Sequence, residues 1–87
     1  MLKGILYEVK VEHDTNSGEY STRRIFETKK EAEEFIDHWI EDDDSVEERE
    51  INEWDAYGPN WKTLRILETD SDVIMLCEID NREPEEK

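Results

Sequence analysis

Apolar and polar residues alternate from Ile5 to His13. Ile5, Tyr7, Val9 and Val11 fall on one side of an extended chain, and Glu8, Lys10 and Glu12 on the other. Successive side chains of a strand point to opposite faces, so this period of two predicts a half-buried strand. Turn formers follow in Asp14-Thr15-Asn16-Ser17-Gly18, where Gly18 can take a positive φ. Alternation resumes over Tyr20 to Glu27, with Tyr20, Thr22, Arg24 and Phe26 opposite Ser21, Arg23 and Ile25. The two runs predict an antiparallel hairpin.

The period then changes. Ala32, Phe35, Ile36, Trp39 and Ile40 recur at helical spacing and form one apolar stripe, opposite Glu33, Glu34, Asp37 and Glu41. Thr28-Lys29-Lys30-Glu31 fits a capping box, with Thr28 accepting from a backbone N–H and Glu31 reaching back to the cap. The helix is expected to dock through Phe35, Ile36 and Trp39 and to stop within Asp42-Asp43-Asp44-Ser45. Asp is a poor helix former, and acids at a C-terminus oppose the macrodipole.

Val46 to Trp54 has few apolar residues among many acids and reads as an edge strand. Asp55 to Asn60, marked by Gly58-Pro59, reads as a loop. Lys62 to Thr69 carries Leu64, Ile66 and Leu67 and predicts a strand. Val73-Ile74-Met75-Leu76-Cys77 is the most apolar run and predicts a central one. Asn81 to Lys87 is polar, contains Pro84 and reads as a mobile acidic tail. The expected fold is therefore α+β: an antiparallel sheet of four to five strands with one helix across a face, in the order β-β-α-β-β-β. Residues 1–80 are expected to form a single domain, since 87 residues leave no room for two independent cores.

Composition sharpens this picture. The chain is 34% hydrophobic and 43% charged, with a net charge of −15. Disordered chains share such a balance, but three Trp, three Tyr and two Phe in periodic patterns place this one among folded domains. The charge argues against direct contact with nucleic acid or an anionic membrane. No apolar run approaches a membrane span, and the N-terminus lacks a signal-peptide layout. A single cysteine makes no internal disulfide, which points to the cytoplasm.

The charge is also unevenly placed. Residues 1–30 carry a net +1, residues 31–55 a net −12 and residues 56–87 a net −4. Exposed helices commonly interleave Glu with Lys at i,i+4, yet no Lys or Arg lies between Glu31 and Glu48. One reading is a solvated helix face. The other is a surface for a strongly basic partner. Duplex DNA carries one phosphate charge per ~1.7 Å of axis, and a helix from Lys29 to about Asp43 would span roughly 22 Å. Glu33, Glu34, Asp37, Glu41, Asp42, Asp43 and Asp44, with a second row at Glu47, Glu48, Glu50 and Glu53, could then occupy a groove built for a nucleic-acid backbone. Of that second row, Glu47 and Glu48 are the candidate contact residues.

In size, charge and α+β organisation the whole chain resembles the small acidic inhibitors that phages and plasmids encode: anti-CRISPR proteins, anti-restriction proteins and the uracil-DNA glycosylase inhibitor. The resemblance is one of class, without an aligned motif, so no family's binding residues carry over. It implies an inhibitor acting in the host cytoplasm on a basic nucleic-acid-binding enzyme, such as a CRISPR effector.

Other chemistry finds little support. Asp42-Asp43-Asp44-Ser45-Val46-Glu47 begins like a calcium loop, but Val46 takes the fifth ligand position and Glu47 that of the invariant Gly. His13, His38 and Cys77 lack zinc spacing, and His38 reads as a boundary residue beside the apolar stripe. There is no nucleophile elbow or phosphate-binding Gly-rich loop. Cys77 is expected to be a buried, inert thiol. No cofactor, metal or catalytic residue is assigned, and the chain reads as non-enzymatic. The segment Trp54-Asp55-Ala56-Tyr57-Gly58-Pro59-Asn60-Trp61 has two readings: a core-closing loop with both Trp under the sheet, or a binding anchor including Tyr57. The expected function is a nucleic-acid mimic that inhibits its target. The alternative is a structural or regulatory interaction module, with a homodimer as one form.

Overall fold

The alternating runs pair as the period of two requires. β1 (Ile5–Thr15) and β2 (Gly18–Phe26) form an antiparallel hairpin whose register runs from Tyr7↔Phe26 to Thr15↔Gly18. The expected turn from Asp14 to Gly18 is therefore shorter, because Asp14 and Thr15 are still paired. The computed structural model describes residues 4–15, 18–56 and 58–81. Asn16, Ser17, Tyr57 and all but Asn81 of the expected tail lie outside the described residues.

Thr28 caps α1 (Lys29–Ile40): its hydroxyl oxygen accepts from the Glu31 N–H at 3.1 Å. The Thr28 hydroxyl donates to the Glu31 carboxylate at 3.2 Å, so Glu31 reaches the cap's side chain instead of the expected cap backbone. α1 ends at Ile40, just before the four consecutive acids, where the Asp43 N–H turns back to the Ile40 carbonyl at 3.0 Å. The chain continues through β3 (Glu47–Arg49), a 3₁₀ turn (Glu53–Asp55), β4 (Trp61–Glu68) and β5 (Asp72–Asp80). All pairings are antiparallel, and the sheet order is β2-β1-β5-β4-β3. The apolar run 73–77 is thus the central strand, and β3 is an edge strand of three residues.

α1 crosses one face of the sheet over β1, β2 and β5. Ala32 and Ile36 bury there with Val9, Val11, Leu67, Ile74 and Leu76. Phe35 is half-buried, its ring 5.4 Å from Phe26 and 5.8 Å from Trp39, with the Arg24 guanidinium 5.3 Å above it. Trp39, expected to dock, is 41% exposed. It lies at the edge of the stripe, tilted against His13 with its indole N–H donating to Asp72 at 3.4 Å.

The other face carries a second, smaller core of Ile66, Met75 and Cys77 with Trp61 and Val73 against it. Leu64, Ile66 and Leu67 do not alternate because a bulge between Thr63 and Arg65 adds a residue to β4. Two residues then oppose one on β5, which sends Ile66 to this face and Leu67 to the helix side. The Thr63 hydroxyl donates to the Asp55 carbonyl, tying the 3₁₀ turn to this face. Burial raises the pKa of the Cys77 thiol, and the nearby Glu8 carboxylate adds to the effect. Glu8, expected on a solvated side, is only 4% exposed.

Ile36 sits at the centre of the helix contact, so Ile36→Ala should cost about 2–5 kcal/mol. Trp39→Ala, at the exposed edge, should cost clearly less. Urea unfolding of the two variants checks this, and equal losses would make the edge of the stripe as much core as its centre.

Candidate functional site

The helical period places Glu34 and Asp37 in solvent on α1, and the turn after Ile40 adds exposed Glu41, Asp42, Asp43 and Asp44. Glu47 and Glu48 follow on β3, both exposed. The expected acidic residues therefore follow one another along the chain, a strip in sequence that runs from α1 through the turn after Ile40 to the edge strand β3. Tyr57 is not part of it, since it lies outside the described residues.

The strip is not chemically uniform. Glu33 is half-buried with Lys29 Nζ 4.0 Å away. Glu41 faces His38 at 2.9 Å, and that imidazole is 86% exposed rather than at the boundary of the stripe. Asp43 is structural: it accepts from the Ser45 N–H at 2.9 Å and from the Ser45 hydroxyl, and these bonds lower its pKa. Ser45 Oγ in turn accepts from the Asp70 N–H at 3.1 Å.

Glu48 is neutralised from β4. The Arg65 guanidinium meets it at 3.1 and 3.3 Å, and this bond raises the pKa of Arg65, with burial opposing and the fields of Glu33 and Asp37 reinforcing. The absence of a basic residue between Glu31 and Glu48 thus does not leave every carboxylate uncompensated. The counter-charge arrives from a strand distant in sequence. Glu34, Asp37, Asp42, Asp44 and Glu47 have no counter-ion within 4 Å among the described residues. These five are the bare part of the strip.

A second feature adjoins β3. Asn52 accepts from the Trp54 N–H at 2.9 Å while the Asp55 carboxylate accepts from the Asn52 N–H at 2.9 Å, a reciprocal cap around the 3₁₀ turn. Arg49 clamps Asp55 at 3.0 Å and Glu68 at 3.1 Å. Trp54 is held on this turn 86% exposed, beside half-exposed Ile51. The two indoles of the aromatic segment therefore part company. Trp61 is half-buried in β4 against the second core, and Trp54 faces solvent. The sequence signal for the brace is the Asn52-Glu53-Trp54-Asp55 cap spacing, which the surrounding acids mask.

Among the described residues, no group of three or more His, Cys, Asp or Glu is placed to hold a metal ion. No helix there is long and apolar enough to cross a membrane. These features define a small acidic α+β domain, with a bare carboxylate strip beside a braced, exposed tryptophan. The chain belongs to a family described as a domain of unknown function, DUF7336, whose model matches residues 11–65. The match spans α1, the acidic strip and the 3₁₀ turn. No curated protein and no solved structure matches the chain.

The Arg49 guanidinium, with the Asn52 N–H behind it, holds the Asp55 carboxyl below its ordinary range. A lowered carboxyl pKa stabilises the fold above the unfolded value of about 3.9, and that contribution is lost as pH falls through the folded value. Asp55→Asn should therefore lower the melting temperature at pH 7, with the gap to wild type closing as pH drops below about 4. A gap that persists unchanged into acid would mean that the charge of Asp55 is not what braces the turn.

Proposed function

We propose that this domain is a non-enzymatic binding protein that docks its acidic strip on a basic surface built for a nucleic-acid backbone, and inhibits the protein that owns it. The supporting observation is the bare set Glu34, Asp37, Asp42, Asp44 and Glu47, each exposed on a stretch of chain where an ordinary surface would interleave cations. Carboxylates lacking internal partners attract a cationic groove over a Debye length, ~8 Å at physiological salt. Their repulsion is tolerated because the neighbouring carboxylates are tied down by Arg65, Arg49 and Lys29.

A second reading, an interaction module working through apolar contact, is favoured by Trp54. A tryptophan exposed on a braced turn has the character of an interface anchor.

Charge reversal separates the two. Glu34→Lys, Asp42→Lys and Asp44→Lys together should weaken partner binding by about a hundredfold or more, since charge-assisted contacts are worth ~1.5–3 kcal/mol each. Glu27→Lys, outside the strip, should have a much smaller effect. The measurement is titration of a partner recovered from host lysate, at two salt concentrations, with and without competing duplex DNA. Undiminished binding by the triple variant, or failure of DNA to compete, overturns mimicry. Loss of binding on Trp54→Ala alone would support the apolar module.

A further inference from the structure

We propose that the sheet face opposite α1 carries a small-molecule site for a zwitterion of amino-acid size. The ligand's ammonium group meets Glu8, its carboxylate meets Arg23 and Lys10, and its body lies along the Trp61 ring.

The strand register assembles this site from residues far apart in sequence. Glu8 and Lys10 lie two apart on β1 and so share a face. Lys10 pairs with Arg23 of β2, and Glu8 with Cys77 of β5, which pairs in turn with Thr63 of β4. Trp61, two residues before Thr63, completes the wall. A cavity of about 260 Å³ opens among Glu8, Lys10, Arg23 and Trp61.

Glu8 is the residue that points to a ligand. The residue is 4% exposed and lines the cavity, and a carboxylate so enclosed is commonly paired. No hydrogen bond or ion pair holds its carboxylate among the described residues. Lys10, two residues along, is ion-paired with Glu12 at 3.1 Å. The lining also selects the ligand's charge. A simple cation would satisfy Glu8 but face Lys10 and Arg23, and a simple anion would face Glu8. A molecule with both charges at opposite ends answers both. The cavity lies below the ~300–1,000 Å³ typical of drug-sized ligands, which restricts the occupant to about the size of an amino acid. Lys10 and Arg23 also belong to residues 1–30, the only third of the chain with net positive charge. The site is thus separate from the acidic strip in position and in sign.

The test is a titration of ¹⁵N-labelled protein with glycine, leucine and arginine as zwitterions, and with butylamine and butyrate as single-charge probes. The signals to follow are the Trp61 indole and the Lys10 and Arg23 amides. At least one amino acid should shift them saturably below about 10 mM, the weak end of measurable affinity, where neither single-charge probe does. Glu8→Gln should weaken that binding at least about tenfold without lowering the melting temperature, because no hydrogen bond or ion pair within the described fold depends on that charge. Arg23→Gln, on an exposed side chain, should weaken it as well and provides the reading should Glu8→Gln not fold. The proposal is overturned if no amino acid saturates, if butylamine binds as tightly as the amino acid, or if both variants bind like wild type.

Discussion

The structure depends on β5 being buried on both faces. With a third of its residues apolar, the chain cannot build two independent layers. It places one strand at the centre of the sheet and lets that strand serve both sides. Ile74 and Leu76 close the core under α1, while Met75 and Cys77 close the smaller core opposite. β1 and β4 flank β5, so every long strand pairing except the hairpin passes through it. An apolar strand in that position needs no alternation, which is why its sequence is the least periodic of the strands.

The second constraint is charge. Repulsion among the carboxylates of residues 31–55 opposes folding, and the fold answers with a few cations at joints rather than with cations along the strip. Arg65 joins β4 to β3 through Glu48 and projects its field toward Glu33 and Asp37. Arg49 joins β3 to Glu68 of β4 and to Asp55 of the 3₁₀ turn. Exposed ion pairs contribute little each, but these also fix the short edge strand, which has only three residues of backbone pairing to hold it. The cations that stabilise the acidic region thus do so at its borders, and its middle stays bare.

Much of this was legible in the sequence. The hairpin, the helix with its Thr28 cap and the central strand follow from periods of two and 3.6, because burial on one face imposes those periods. What periodicity cannot show is where a non-local partner comes from. Arg65 is 17 residues from Glu48 and reaches it only through the β3–β4 register. Glu8 looked solvated because alternation assigns it to the outer face, and only the strand pairing reveals that this face has a core of its own. The bulge at Leu64 broke the pattern of β4 for the same kind of reason: an inserted residue changes phase without changing composition. Trp54 and Trp61 are chemically alike in the sequence, and their separation arises from the Asn52–Asp55 cap.

Were both readings to hold for one partner, the acidic strip and Trp54 would act at different stages of the association. Charge complementarity mainly accelerates encounter and rejects wrong partners, and it fades with salt. Lifetime of a complex depends more on desolvated aromatic anchors. The reciprocal cap and the guanidinium clamp fix the backbone turn that presents Trp54, so binding would have to order the indole but not the chain that carries it. The strip would then bring a basic surface into register, and the indole on its braced turn would hold it there. The brace and the strip meet at β3, where Arg49 sits one residue beyond Glu48. Loosening that edge strand would therefore disturb steering and anchoring together, even though its three residues contribute almost nothing to the core.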